Sequence, residues 1–136
     1  MLRGLATVSF FADDVTAAMN WYTTLLGTEP YFVRPAGGPP VYAEFRVGDD
    51  QDELGIIDRR FAPAGSSGQP AGAVVYWQVD DVTASVERLV ALGATVYEGP
   101  VERGPGFTTA SVTDPFGNIL GVMYNRHYLE MRPVRS

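Results

Sequence analysis

The chain is written twice. Asp13-Asp14-Val15-Thr16-Ala17 returns as Asp80-Asp81-Val82-Thr83-Ala84 at an offset of 67, and Leu26-Gly27 returns as Leu92-Gly93 at 66. Tyr31 matches Tyr97, and Leu54-Gly55-Ile56-Ile57 matches Leu120-Gly121-Val122-Met123, both again at 66. One residue is lost inside the second helix, and the register then holds to the end. A repeat of about 55 residues implies a unit that cannot bury its apolar face alone, so the fold must be built from two copies of one supersecondary unit.

Period and punctuation place the elements of each copy. Residues 5–12 read as a strand, and Asp14 caps a helix over 14–26 by offering its carboxylate to the free amides of the first turn. Val15, Met19, Tyr22 and Leu26 fall at helical spacing, and Gly27 ends the helix. Strands follow at 30–34, 41–47 and 53–58. The second copy repeats the order: strand 73–79, helix 81–92 capped by Asp81, with Val82, Val86, Leu89 and Val90 on one face, then strands 94–98, 107–113 and 118–124. Each copy is β-α-β-β-β, about 5–58 and 73–125. The intervening 59–72 is rich in Pro, Ala, Gly and Ser and reads as a flexible linker. Residues 35–40 and 99–106 read as equivalent Gly/Pro loops placed where a lid could close. The tail, 126–136, has no counterpart in the first copy.

Composition removes whole reaction classes. The 136 residues include no cysteine and no lysine, with His127 the one histidine. This excludes a thiolate metal site, a cysteine nucleophile, a Schiff-base lysine and a lysine-type phosphate loop. A single chain cannot assemble a site with two or three histidine ligands. The net charge of −6 argues against a nucleic-acid partner. No apolar run has the length of a membrane span, and the start is too soon interrupted by acids for a secretory signal, so a cytoplasmic protein is expected.

The doubled β-α-β-β-β order, with Asp-Val at each helix start and Leu-Gly at each helix end, resembles the vicinal oxygen chelate superfamily. That superfamily includes glyoxalases, bleomycin resistance proteins and extradiol dioxygenases. Val112-Thr113-Asp114-Pro115-Phe116-Gly117-Asn118-Ile119-Leu120 is similar to its Asp-Pro-x-Gly-Asn turn, and residues 14–27 to its first helix. The resemblance spans about 5–125. It implies an α+β fold in which two tandem βαβββ modules form a curved mixed-sheet cup with helices on the outer faces. It also implies a homodimer. Metal-dependent relatives place ligands where this chain has Thr7 and Val74 on the first strands, and Gly55 and Gly121 on the last strands. None of these is a good donor, so no metal and no cofactor are expected, as in a metal-free branch.

Strand alternation then assigns the faces. Val8 and Phe10, and Val75, Trp77 and Val79, are expected under the helices. Thr7, Ser9, Phe11, Tyr42, Glu44, Arg46, Val74, Tyr76, Gln78, Phe107, Thr109 and Ser111 are expected on the open side, with Gly55, Ile57, Gly121 and Met123. Thr7, Ser9, Phe11, Tyr42, Arg46, Tyr76, Gln78, Phe107 and Thr109 are the candidate ligand-binding residues. They form an aromatic surface with scattered hydroxyls and amides, suited to a small planar or cationic molecule unless they merely fill space. Glu44 is the candidate catalytic base; pairing with Arg46 is the alternative. The functional expectation is metal-independent small-molecule binding, as in antibiotic-binding relatives, with a lyase or isomerase as the other reading.

Overall fold

The computed structural model describes residues 1–66 and 68–132. The chain divides into two compact units: Met1–Gln69 with Phe116–Asn118, and Pro70–Pro115 with Ile119–Ser136. Each is a four-stranded sheet with a helix on one face.

In the first unit, β1 (Thr7–Ala12), α1 (Val15–Leu26), β2 (Phe32–Arg34), β3 (Tyr42–Val47) and β4 (Asp52–Asp58) follow in sequence. The sheet order is β1-β4-β3-β2, with β1 parallel to β4 and the other pairs antiparallel. The Asp14 carboxylate accepts the Ala17 amide at 3.0 Å, and Gly27 ends α1 at φ +70°, in the left-handed region that glycine enters without a steric penalty. The helix packs on β1, β3 and β4 through Val15, Ala18 and Tyr22. The core beneath it is Phe10, Ala12, Ala43, Phe45, Leu54 and Ile56, every second residue of three strands. The strand begins at Thr7 rather than at 5, because its pairing with β4 begins at Thr7–Glu53; Leu5, beyond that pair, is 97% exposed.

The second unit repeats the plan with β5 (Val75–Gln78), α2 (Val82–Ala91), β6 (Thr95–Gly104), β7 (Phe107–Thr113) and β8 (Ile119–Asn125), in the order β5-β8-β7-β6. Asp81 caps α2 through the Ala84 amide at 3.0 Å. Val82, Val86 and Leu89 are buried, but Val90 is 44% exposed. It stands one step round the helix from Leu89, outside the stripe that meets the sheet. The repeat is also less regular than its sequence offset. Glu44 pairs with Gly55 and Ser111 with Gly121, so the third strands are offset by one residue more than the fourth.

The stretch expected to be a Gly/Pro loop is ordered, and so is the first part of the tail that has no counterpart in the first copy. The 99–106 stretch is mostly strand: β6 runs through Gly99-Pro100 to Gly104, and register shifts absorb the two breakers. An edge strand tolerates proline because its outer amide has no ladder partner. After β8, Asn125 caps a third helix, α3 (Arg126–Met131), accepting the Tyr128 amide at 3.1 Å. Of the tail, 133–136 lie outside the described residues. The linker opens with a single 3-10 turn at Arg59–Phe61.

The Phe116–Asn118 turn packs within the first unit. The Asn118 side chain donates to the Phe11 carbonyl at 2.9 Å and accepts the Phe11 amide at 3.2 Å. Arg59 donates to the Phe116 carbonyl at 2.7 Å and to Asp13 at 2.9 Å. Phe116 meets Trp21 edge-on, with ring centroids 6.4 Å apart.

Candidate functional site

The face of the first sheet opposite α1 carries the chemistry. Register puts Thr7, Glu53 and Arg46 in one row, Ser9, Gly55, Glu44 and Phe32 in the next, and Phe11, Ile57, Tyr42 and Arg34 in the third. Of the expected ligand-binding residues, this face therefore brings together Thr7, Ser9, Phe11, Tyr42 and Arg46, around Glu44. The Tyr42 hydroxyl donates to Glu44. The Thr7 hydroxyl donates to Glu53 Oε1 at 2.9 Å, and Arg46 pairs with Glu53 Oε2 at 3.2 Å. Arg46 also lies 4.7 Å from the Tyr31 ring centroid. Phe32 meets Tyr42 edge-on at 6.0 Å, and the Arg34 guanidinium stacks on Phe32 at 4.0 Å.

Glu53 is the residue that sequence reasoning missed. The alternation that selected Gly55 and Ile57 selects Glu53 as well, since all three share a face of β4. Its presence changes Glu44, because Arg46 engages Glu53 rather than Glu44. Burial raises the Glu44 carboxyl above its ordinary value of 4.5, and the hydrogen bond to Glu53 and the charge of Glu53 raise it further, against the lowering effect of Arg46. Glu53 moves down, through hydrogen bonds from Glu44, Thr7 and Arg46 and the charge of Arg46. A proton held between the two thus rests on Glu44. Burial and the charge of Glu53 raise the Tyr42 hydroxyl, keeping it a donor.

The pH dependence follows in sign. A carboxyl raised in the folded state contributes stability that is full below 4.5 and is lost as pH rises through its folded value. A lowered carboxyl contributes stability that is full above 4.5 and is lost as pH falls through its folded value. Carboxyl-carbon NMR should therefore show two steps that belong to the pair, one above and one below 4.5, with Glu44 carrying the upper. Glu53→Gln should bring Glu44 back toward its ordinary value; an unmoved Glu44 would mean that the pair is not coupled.

The glycines at the two equivalent positions have one physical role. A Cβ on Gly55 would lie 3.2 Å from the Tyr42 hydroxyl oxygen and 3.3 Å from its ring. A Cβ on Gly121 would lie 2.7 Å from both the Tyr76 ring and the Val75 carbonyl oxygen. In each sheet a tyrosine ring covers the strand position where metal-dependent relatives carry a glutamate. Thr7, at a first-strand ligand position, already gives its hydroxyl to Glu53. Val74, at the other, offers no donor atom. These residues do not fit a metal, and among the described residues no group of three His, Asp or Glu is gathered that could hold one.

The second sheet places Tyr76, Gln78, Phe107 and Thr109 on the face opposite α2. Its chemistry is different. Gln78 accepts the Asn125 amide at 3.0 Å. Thr109 is 5% exposed beneath Arg103, which donates to it at 3.2 Å and pairs with Glu98 at 2.7 Å. The positions equivalent to Glu44 and Glu53 are Ser111 and Ile119, so this sheet has no counterpart of the carboxyl pair. Phe107 and His127 line a hollow of about 480 Å³ with Asn125, Arg126 and Glu130. No helix among the described residues is long and apolar enough to cross a membrane.

Comparison with known structures finds the same fold at low identity. A glyoxalase-related enzyme from Fulvimarina pelagi is 19% identical with a TM-score of 0.71, over 99% of this chain and 94% of that one. TioX from Micromonospora sp. ML1 is 20% identical with a TM-score of 0.67, over 90% and 98%. A lactoylglutathione lyase from Agrobacterium tumefaciens is 22% identical with a TM-score of 0.65, over 90% and 93%. No curated protein sequence matches. The family model of the Glyoxalase/Bleomycin resistance protein/Dioxygenase superfamily matches residues 4–122, almost the whole of both modules, and the chain belongs to that superfamily.

Proposed function

We propose that this protein is a metal-independent member of the superfamily that binds a small planar molecule on the open face of its first sheet. The observation that carries the reading is the Tyr42–Glu44–Glu53–Thr7 chain of hydrogen bonds, which crosses the three rows of the open face among Phe11, Phe32 and Tyr42, with a glycine at the family's glutamate position. Aromatic rings around a few directed polar groups are the usual make-up of a small-molecule site, stacking supplying affinity and the polar chain orientation. Sequestration of an aromatic antibiotic fits this chemistry. Calorimetry of the chelator-treated protein against glycopeptide and quinone antibiotics tests it. Binding that survives chelation and is weakened by Tyr42→Ala supports the reading. Silence across the panel, or binding that appears only on adding a divalent ion, overturns it.

One observation favours a second reading, acid–base catalysis. Burial, and then its neighbour Glu53, hold the proton on Glu44 to a higher pH than on an isolated carboxyl, while Glu53 gives up its own more readily, the division of roles that a general acid–base pair needs. In that reading Glu44 exchanges a proton with the bound molecule, and Tyr42 supplies a hydrogen bond to the oxygen that gains charge.

A further inference from the structure

Arg34 stands apart from the other charges of the first sheet's open face. Arg46 is matched by Glu53, and Glu44 by Glu53 and Tyr42. Among the described residues no carboxylate lies within ion-pair distance of Arg34. Its guanidinium is nonetheless held in place. It stacks on Phe32 at 4.0 Å, and one of its nitrogens donates to the Val33 carbonyl at 2.8 Å. That carbonyl uses only one of its donors, so most of the fork remains available. Cross-strand register places Arg34 opposite Tyr42, and Phe32 opposite Glu44. The fork is therefore anchored beside the aromatic pair and one step from the Tyr42–Glu44 hydrogen bond.

We infer that Arg34 is the specificity residue of this site and that the ligand it selects is a planar molecule bearing a carboxylate. The inference rests on the binding reading above and adds the sign and shape of the ligand's charged group. A guanidinium centred over a ring keeps edge donors free, and a carboxylate matches such an edge with two parallel hydrogen bonds. Stacking also reduces the freedom lost when those bonds form, because the side chain is already ordered. A ring attached to the carboxylate would lie along Phe32 and Tyr42.

Three planar probes of the same shape and different charge test this: benzoate, benzamide and benzamidine. Each is titrated into the full chain at neutral pH while amide shifts of Phe32, Arg34, Tyr42 and Glu44 are followed by NMR. Benzoate should bind about tenfold more tightly than either of the others, as expected for one charge-assisted bidentate contact, and its affinity should fall with added salt. Arg34→Gln should abolish the preference for benzoate over benzamide, while Arg34→Lys should keep only part of it. Equal binding of the three probes, a preference for benzamidine, or a benzoate preference that survives Arg34→Gln overturns the assignment and leaves metal-free binding intact. No shift on this face with any probe also overturns it, and the antibiotic panel then decides the binding reading separately.

Discussion

Gly121→Glu should destabilise the protein by about 3 kcal/mol and lower Tm by roughly 10 °C, without creating a metal site. The substitution writes the family's ligand type into the position that would hold it. A Cβ there meets the Val75 carbonyl oxygen at 2.7 Å as well as the Tyr76 ring. The ring can rotate away, but the carbonyl belongs to β5, which pairs with β8 at Tyr76–Gly121. Room for the new atom comes only from parting that ladder. Gly121→Ala should cause most of the same loss, because the first added atom is the one that collides. Gly55→Ala is the control. Its nearest atoms all belong to the Tyr42 side chain, at 3.2–3.5 Å, so the cost should stay under about 1.5 kcal/mol. Thermal melts of the three variants, with and without manganese or zinc, separate the effects. A metal-bound Gly121→Glu protein would melt higher with the ion present. Equal losses for the two alanine variants, or a metal-dependent rise in Tm, would show that backbone crowding is not what keeps glycine at this position.

The parts of the fold that could be read from the sequence are those that depend on short-range chemistry. Asp14 and Asp81 each sit three residues before the amide they bind, and Gly27 adopts the left-handed conformation that its place after Leu26 implies. The doubled motif translated into two sheets of the same order because each strand's partner is another strand of its own copy. Misreadings arose where tertiary pairing overrode local propensity. Gly99-Pro100 marks a loop in isolation, yet β7 holds Glu98, Val101 and Glu102 in register on either side of it. The Asn125 cap was visible as a residue type, but nothing nearby advertised a helix as short as α3.

The site shows a similar division. Alternation found Thr7, Tyr42, Glu44 and Arg46 on one face, and the same rule extended by one step would have found Glu53. Partner choice was beyond it: Arg46 is as close in sequence to Glu44 as Tyr42 is, yet it reaches across the sheet to Glu53. Long side chains choose among several neighbours at similar distances, and packing decides between them. The glycine at 55 could be recognised as making room. That the room belongs to Tyr42, which pairs with Ile57 and leans over the next row, depends on ring direction, which no periodicity encodes.

Asn118→Ala should be the other large loss, about 2–4 kcal/mol, although it removes only a small polar side chain. Strand β1 lies at the edge of its sheet. The Asn118 amide group serves Phe11 there as a further strand would, taking its N–H at 3.2 Å and giving to its carbonyl at 2.9 Å. Alanine leaves the Phe11 amide without that acceptor. The carbonyl is still reached by Arg59, which donates to it at 3.3 Å. Two donors that share one acceptor should be coupled. Arg59→Ala alone leaves the carbonyl to Asn118, and Asn118→Ala alone leaves it to Arg59. The double variant orphans it and should cost about 1 kcal/mol more than the two single losses together. Asn118→Asp keeps the acceptor and loses the donor, so it should fall between wild type and alanine. Denaturant unfolding of the four proteins at neutral pH measures the cycle. Strict additivity would mean that Arg59 acts only through Asp13 and Phe116, and that the Phe11 carbonyl is satisfied by another route. The position matters for function because Phe11 lies on the open face, in the row of Tyr42 and Ile57. A loosened β1 should therefore weaken binding of a planar ligand as well as lower stability, whereas a loss of stability alone would place the binding surface elsewhere.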